Sequence, residues 1–223
     1  MATPLNLLVV VGSVRDSAPP RPARLGLRVA RAMSAHLVAA GHCPELVDPL
    51  DISIPKPFKP HFAYPAGQAP AALETLAGRI GQADGYVMVS PEYNHSMSPA
   101  LADLLNHFGS SLFSFKPSAI VTYSAGQWGG TRAAVAMRTF LSELGCLPVS
   151  AMVHVPFAQD VFDEEGLAKK GVDGGRWDSY FGRASSQLAW WAIAAKRMRR
   201  EPGDAVETPA FTTSPSQRNA PPS

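Results

Sequence analysis

Three short apolar runs, each followed directly by a polar or glycine-rich turn, constrain the fold of this chain more than any other feature. The runs cover residues 5–11, 85–89 and 119–123. A nearly continuous apolar run of this length is typical of a strand that is buried on both faces of a parallel sheet. Because a helix-like segment follows each turn, the sequence predicts a repeated unit of strand, turn and helix.

The alternation of strands and helices along the chain predicts an α/β fold with a doubly wound, five-stranded parallel sheet. The predicted strands cover residues 5–11, 45–48, 86–90, 118–123 and 149–155, and the predicted helices cover residues 22–40, 71–82, 99–108, 131–144 and 177–200. Right-handed crossovers leave few topologies, and we expect the flavodoxin-like order 2-1-3-4-5. Ligands bind outside the carboxyl ends of the strands in such sheets, so the three turns predict one shared site.

Length and composition limit the classes of protein to which the chain can belong. The chain has 223 residues, of which 46% are apolar, and this suits one α/β domain with a well-formed core. We predict that the domain covers residues 1–200. Residues 201–223 are rich in Pro, Ser and Thr and lack apolar periodicity, so we predict a disordered tail. The formal net charge of +2 is too small to predict nucleic-acid binding.

Cysteine spacing and the absence of long apolar runs indicate the cellular compartment. Cys43 and Cys146 lie far apart and outside any C-x-x-C motif, so we expect neither a metal site nor a disulfide. Buried or half-buried free thiols in a reducing compartment are the simpler interpretation. No run is long enough to cross a bilayer and no leader pattern is found, so we expect a soluble, cytoplasmic protein without a membrane partner.

The turn after the first strand has the chemistry of an anion site. Ser13 supplies a hydroxyl and Arg15 a guanidinium, close to the start of a predicted helix. A helix N-terminus attracts phosphate through its free N–H donors and the helix dipole. The turn is neither a G-x-G-x-x-G fingerprint nor a Walker A loop. By itself, this turn would also suit a nucleotide-binding α/β domain.

The turn after the third strand suits a flat ligand with polar edges. The backbone after Pro91 offers N–H and C=O groups, and Asn94 adds an amide that both donates and accepts. Tyr93 either packs its ring on a planar ligand or fills the core. Glu92 either faces solvent as a turn residue or contacts the ligand through its backbone.

Glycines shape the turn after the fourth strand. Ser124 is followed by Gly126, Gly129 and Gly130. Glycine allows a backbone to approach a flat ligand closely, although it also allows tight packing of a helix on a strand. Together, the three turns indicate a ligand site more specifically than any one of them.

These turns and their flanks also carry a resemblance to a known family. The matching segments are Gly-Ser-Val-Arg at 12–15, Ser-Pro-Glu-Tyr-Asn-His-Ser at 90–96, Ser-Pro-Ala-Leu at 98–101, Lys-Pro at 116–117 and Ser-Ala-Gly-Gln-Trp-Gly-Gly-Thr-Arg-Ala at 124–133. In this order, over about residues 5–165, they resemble the NADPH-dependent FMN reductase family, which includes flavin, quinone, azo-dye and chromate reductases. The Pro-Glu-Tyr-Asn motif is the most specific match.

The resemblance implies a flavodoxin-like fold, bound FMN, and NADPH or NADH as co-substrate. It implies an oxidoreductase that passes a hydride from NAD(P)H through FMN to a quinone, a flavin or a similar small-molecule acceptor by a ping-pong mechanism. Because this chemistry belongs to the cofactor, no catalytic side chain is predicted. It also implies a homodimer or homotetramer, since family members often complete the flavin pocket with a neighbouring subunit.

Position by position, the resemblance assigns residues to the FMN site. They are Ser13, Arg15 and Arg24 on the phosphate side, Pro91, Glu92, Tyr93 and Asn94 at one edge of the isoalloxazine ring, and Ser124, Gly126 and Gly129 on its other side. Two segments depart from the family pattern. Residues 100–103 replace its usual Gly-Leu-Lys-Asn run, and residues 16–23 form a longer first loop than usual.

A second function of a different class stays open. The chain could be an FMN-binding electron carrier or redox sensor that reacts slowly with NAD(P)H and docks a protein partner. The partner would bind through the proline-rich loop 52–70 or the basic end of the last helix. Prolines exclude a helix or central strand from that loop, and we expect it to cover a neighbouring surface or to help form a dimer interface.

Overall fold

A five-stranded parallel sheet forms the centre of the molecule. The computed structural model describes residues 3–17 and 24–201. The strands are β1 (Asn6–Val11), β2 (Cys43–Val47), β3 (Gly85–Pro91), β4 (Pro117–Tyr123) and β5 (Leu147–Val155). They pair in parallel in the order β2-β1-β3-β4-β5, which confirms the predicted flavodoxin-like topology.

Helices cover both faces of the sheet. They are α1 (Leu25–Ala39), α2 (Ala71–Gln82), α3 (Pro99–Asn106), α4 (Ser110–Phe113), α5 (Thr131–Glu143), α6 (Ala158–Val161) and α7 (Gly174–Arg200), with 3-10 turns at Pro49–Asp51 and His61–Ala63. Helices α1 and α7 close one core against the sheet, and α2, α3 and α5 close the other.

Side chains of alternate residues on the central strands pack into the two cores on opposite faces of the sheet. Leu7, Val9 and Val11 of β1 face α1 and α7, whereas Leu8 and Val10 face the opposite core. All five side chains are buried. This two-sided burial is the reason why β1 has no polar alternation in its sequence.

Some element ends differ from the prediction because of local chemistry. Helix α1 begins at Leu25, because Arg24 has a φ of 59° and lies outside the helical region; residues 22–23 lie outside the described residues. Helix α7 begins at Gly174 rather than at 177, because the Asp173 carboxylate accepts a hydrogen bond from the Arg176 amide and caps the helix. The four-residue helices α4 and α6 are too short for an apolar period to predict them.

The proline-rich loop 52–70 covers the end of α3 and the start of α2. The His61 amide donates to the His107 carbonyl at 2.7 Å. The Glu74 carboxylate accepts from the Ala69 amide at 3.0 Å and lies 3.1 Å from His61 Nε2. The loop therefore covers a neighbouring surface, as expected, and its part in a dimer interface stays a prediction.

Several expectations about the chain as a whole can be compared with the described residues. Cys146 is buried and Cys43 is exposed, and both are free thiols, so the expectation of burial is wrong for Cys43. Within residues 3–17 and 24–201, no cluster of His, Cys, Asp or Glu could hold a metal ion. None of the helices described there is long and apolar enough to span a membrane. The cytoplasmic location stays a prediction, and the predicted tail lies outside the described residues from residue 202 onward.

Candidate functional site

Buried polar bonds hold the first and second turns against each other at the carboxyl end of the sheet. The Gly12 amide donates to the Val89 carbonyl at 2.6 Å, and Ser98 Oγ donates to the Gly12 carbonyl. The Ser98 amide donates to Ser90 Oγ at 3.0 Å, and Ser98 Oγ caps α3 by accepting from the Leu101 amide. A Cβ at Gly12 would lie 2.5 Å from the Val89 carbonyl oxygen, so this approach requires glycine.

Tyr123, the last residue of β4, reaches beneath the first turn. Its side chain is buried, and its hydroxyl is hydrogen-bonded to the Ser13 side chain. A Cβ at Gly26 would lie 2.5 Å from the Tyr123 hydroxyl oxygen, so the start of α1 also packs on this ring. Burial raises the pKa of Tyr123 well above its ordinary value, and the hydroxyl therefore keeps its proton. The sequence prediction missed Tyr123; its only signal there is a polar group at the end of an apolar strand.

The start of α1 lies beside the same turn. Arg24 Nη1 donates to the Ser13 carbonyl at 3.1 Å, and Arg24 Nη2 forms an ion pair with Asp48. The Arg15 amide lies 3.3 Å from Ser13 Oγ. No acidic residue occurs in the first turn of α1, and no side chain among the described residues 3–17 and 24–201 caps it. The positive end of the helix dipole is therefore not neutralised there, which suits an anionic ligand.

The second turn is a tight hairpin. Tyr93 and Ser96 exchange two backbone hydrogen bonds of 2.9 Å. Asn94 and His95 have φ values of 49° and 63°, the left-handed conformation of a type I′ turn, which Asn adopts more readily than most residues. Tyr93 is 42% exposed, so its interpretation as a core residue is wrong. The hairpin presents the Tyr93 ring and the exposed Asn94 outward.

The Glu92 side chain turns away from solvent. It is 10% exposed, and its Oε1 atom forms an ion pair with Arg132 Nη2 at 2.6 Å. Its Oε2 atom is buried and has no hydrogen-bond partner within residues 3–17 and 24–201. The interpretation of Glu92 as a solvent-facing turn residue is therefore wrong. A buried oxygen without a donor is costly, and it suits a ligand that brings a donor.

The third turn is rigid but open at one position. Ser124 Oγ donates to the Gly126 carbonyl at 2.7 Å and accepts from the Gly129 amide at 2.9 Å. Gly129 and Gly130 have φ values of 58° and 78°, and a Cβ at Gly130 would lie 2.9 Å from Thr122 Cβ. A Cβ at Gly126 would meet no atom of the described residues within 4 Å. The turn therefore keeps open space beside Gly126.

Exposed aromatic rings surround the turns. Tyr93, Trp128 and Phe157 are 42%, 61% and 46% exposed, respectively. The Arg132 guanidinium lies 5.9 Å from the centre of the Trp128 ring. The sequence prediction did not single out Trp128 or Arg132, although an aromatic residue inside a polar, glycine-rich turn has no strand or helix face to fill. Exposed rings at one rim suit a planar ligand.

All residues that the sequence assigns to the site lie on these three turns or at their flanks. The first turn and the start of α1 hold Ser13, Arg15 and Arg24, the end of β3 and the hairpin hold Pro91, Glu92, Tyr93 and Asn94, and the loop before α5 holds Ser124, Gly126 and Gly129. The contact of Glu92 with Arg132 links the second turn to the helix that follows the third.

The chain is similar to several known reductases. A NAD(P)H-dependent FMN reductase of Pseudomonas aeruginosa is 35% identical over 101 residues, which are 44% of this chain and 55% of that protein. A quinone reductase of Escherichia coli K12 is 41% identical over 75 residues, 32% of this chain and 40% of that protein. A quinone reductase of Pseudomonas putida is 27% identical over 172 residues, 74% of this chain and 86% of that protein. The first two matches thus span about half of each relative or less.

Solved structures share the fold. FerB, a flavoenzyme NAD(P)H:(acceptor) oxidoreductase from Paracoccus denitrificans, superposes with a TM-score of 0.65 at 17% identity, over 86% of this chain and 98% of that chain. At this identity the likeness concerns the fold alone. The sequence profile of the NADPH-dependent FMN reductases matches residues 5–160, well over half of the 223 residues. The chain therefore belongs to the NADPH-dependent FMN reductase family.

Proposed function

We propose that this protein is an FMN-dependent NAD(P)H oxidoreductase that reduces a quinone, a flavin or a similar small molecule. The family implies FMN as the cofactor and NAD(P)H as the electron donor. Two of the similar proteins are quinone reductases. The observation that carries the proposal is that three turns meet at one end of the sheet. The start of α1, which suits an anion, lies on one side, and the turn with open space beside Gly126 lies on the other.

The residues of the first turn fit the phosphate of FMN. Ser13 Oγ, the Arg15 guanidinium and the first amides of α1 would hold it. The Tyr123 hydroxyl fixes the Ser13 side chain from below, and Arg24 fixes the Ser13 carbonyl from the side. Arg24 therefore acts as a positioning residue for the turn, because both of its Nη atoms already have partners within the protein.

The residues of the other two turns fit the isoalloxazine ring. The backbone of residues 91–94 and the Asn94 amide would bind its polar edge, and the open space beside Gly126 would admit the ring from the other side. The buried Glu92 Oε2 atom, which lacks a donor among the described residues, adds an acceptor. When bound, FMN supplies the hydride chemistry, and the protein contributes binding, orientation and electrostatics.

We propose that the electron donor and the electron acceptor bind in turn at the same place. Nicotinamides and quinones are both planar, and both suit the exposed Tyr93 ring of the second turn. If they occupy one place, the donor has to leave before the acceptor binds. This predicts ping-pong kinetics.

Initial rates with NADPH and a water-soluble quinone test this proposal. We expect parallel lines in double-reciprocal plots, and competitive inhibition by each substrate against the other at high concentration. Intersecting lines would show that both substrates bind together and would contradict the shared place. Bound FMN that accepts electrons from neither NADPH nor NADH would instead support the electron carrier or sensor.

We also propose that the protein assembles as a homodimer or homotetramer. Phe58 and Phe62 of the loop 52–70 are 50% and 49% exposed, and Trp190 and Trp191 of α7 are 63% and 42% exposed. Exposed large apolar side chains of this kind are typical of contact surfaces. Light scattering of the FMN-loaded protein measures the mass directly, and a strictly monomeric mass would contradict the proposal.

A further inference from the structure

A half-exposed guanidinium lies at the rim of the candidate site with most of its donors unused. The Arg132 side chain is 47% exposed and forms an ion pair with Glu92 at 2.6 Å. No second ion pair or hydrogen bond of this side chain occurs within residues 3–17 and 24–201. Because a guanidinium has five N–H donors in a fixed fork, several remain for a ligand.

A rigid turn presents Trp128 beside this guanidinium. The Trp128 carbonyl accepts from the Thr131 amide at 3.2 Å, and the next residue, Gly129, is held by Ser124 Oγ at 2.9 Å. The Trp128 ring is nevertheless 61% exposed, and the Arg132 guanidinium lies 5.9 Å from its centre. A large flat ring that is fixed in place and mostly exposed offers a surface on which a planar base can stack.

Glu92 sets the charge at this rim. One of its carboxylate oxygens lies on Arg132, so the pair is close to neutral in total. A phosphate that binds the remaining donors of Arg132 would lie close to the Glu92 carboxylate and would be repelled by it. Removal of the Glu92 charge would therefore strengthen phosphate binding, whereas removal of Arg132 would abolish it.

From these contacts we infer that Arg132 and Trp128 bind the adenosine part of NADPH, with Arg132 on the 2′-phosphate and Trp128 on the adenine ring. Guanidinium groups bind phosphate through two parallel, charge-assisted hydrogen bonds. NADH has a hydroxyl in place of this phosphate and gains no such contact. The inference rests on the proposed function, and it adds the residues that distinguish NADPH from NADH.

Calorimetric titration of 2′,5′-ADP and of 5′-AMP into the FMN-loaded protein tests this site without turnover. We expect the wild type to bind 2′,5′-ADP at least tenfold more tightly than 5′-AMP, because the two differ only in the 2′-phosphate. In R132A the two affinities should become equal. In W128A both should fall by a similar factor, and in E92Q the affinity for 2′,5′-ADP should rise several-fold.

The matched control is R183A. Arg183 is also an exposed arginine beside an aromatic ring, at 5.7 Å from the centre of Tyr180, but it lies on α7. Its removal should change neither affinity. A change in R183A equal to that in R132A would show that only the overall charge matters, which would overturn the inference.

Two further results would overturn the inference: equal affinity of the wild type for both nucleotides, or an R132A variant that keeps the preference. Flavin fluorescence checks that each variant still binds FMN. If R132A no longer binds FMN, the R132K variant replaces it, because lysine keeps the positive charge but lacks the forked guanidinium. The preference of R132K for 2′,5′-ADP over 5′-AMP should be weaker than that of the wild type but still present. Failure of the proposed function has another signature, since neither NADPH nor NADH would then reduce bound FMN in the wild type.

Discussion

The polar side chains at the two ends of the sheet differ in their exposure and in their hydrogen bonding. At the carboxyl end, Trp128 and Arg132 are exposed and Glu92 keeps a buried oxygen without a donor among the described residues. At the amino end, Lys116 and Asp84 are buried and bonded on several sides within the protein. The difference separates polar groups that hold the fold together from polar groups that are placed for a ligand.

Lys116 and Tyr86 organise the amino end. Lys116 Nζ donates to the carbonyls of Ile80, Gly81 and Leu112 at 2.9, 2.6 and 3.1 Å. Tyr86 Oη lies 2.9 and 3.1 Å from two of the same oxygens, those of Ile80 and Leu112. Because these carbonyls end α2 and α4, the two side chains together satisfy helix ends that would otherwise be buried without donors.

Asp84 ties the last helix to the same end of the sheet. Its carboxylate accepts from the Asn6 amide at 3.0 Å and pairs with Lys196 at 2.8 Å and Arg199 at 3.7 Å. Arg199 also donates to the Phe115 carbonyl at 2.7 Å. These contacts engage Lys196 and Arg199 within the fold, which weakens the idea that the basic end of α7 docks a partner.

The largest effect is expected at the amino end. The double variant Y86F/K116M should lower the free energy of unfolding by about 4 kcal/mol, because it leaves three buried carbonyls without donors. Each single variant should cost about 1 kcal/mol, since Lys116 still contacts all three carbonyls in Y86F and Tyr86 still contacts two of them in K116M. Urea denaturation measures all three variants. Strictly additive losses would contradict the shared role, and FMN affinity should not change.

The second largest effect is a pH dependence of the free energy of unfolding, which arises from Lys116. Burial lowers its pKa from 10.5 to about 8. Between these values the unfolded chain holds a proton that the folded chain has released, so stability rises with pH. The wild type should gain up to about 3 kcal/mol relative to K116M from pH 8 to pH 10.5. Unfolding free energies of both proteins across this range test it, and parallel curves would contradict it.

The third largest effect is expected at the carboxyl end of the sheet. S13A should weaken FMN binding by about tenfold, because it removes a hydrogen bond to a charged phosphate. Its free energy of unfolding should fall by about 1–2 kcal/mol, because the buried Tyr123 hydroxyl loses its bond to Ser13 and the Arg15 amide loses the Ser13 Oγ acceptor. Flavin fluorescence titration gives the affinity. The control S186A removes an exposed hydroxyl on α7 and should bind FMN as the wild type does.

The smallest effect is expected at Gly126. A methyl group there meets no atom within 4 Å in the part of the chain that the structure describes, so G126A should leave stability unchanged. It should weaken FMN binding a few-fold, because the methyl group enters the space proposed for the ring. G130A is the contrast, since its φ of 78° and close Thr122 contact should make it unstable. Unchanged FMN affinity in G126A would argue against the ring lying there.

Local patterns in the sequence predict much of this fold. The apolar run of β1 and the turn that follows it could be identified without the structure, because burial on both faces leaves no room for polar residues. The i+4 spacing of Val29, Met33 and Leu37 likewise identifies the buried face of α1. Strand order then follows from the handedness of the crossovers, together with the family resemblance.

The contacts that define the candidate site could not be predicted in the same way. The ion pair of Glu92 with Arg132 joins a hairpin to a helix that begins about 40 residues later, and no local period links them. The left-handed Arg24 is set by its contacts with Ser13 and Asp48 rather than by its own preference. Such positions depend on how distant elements pack, which the local sequence does not encode.

Anaerobic addition of NADPH to the FMN-loaded protein, followed by visible absorbance, tests the central claim most directly. If the three turns form a reductase site, the absorbance of the bound oxidised flavin should bleach rapidly on mixing. Bound flavin that stays oxidised with NADPH and also with NADH would contradict the claim that this end of the sheet is the site of an NAD(P)H-dependent reductase.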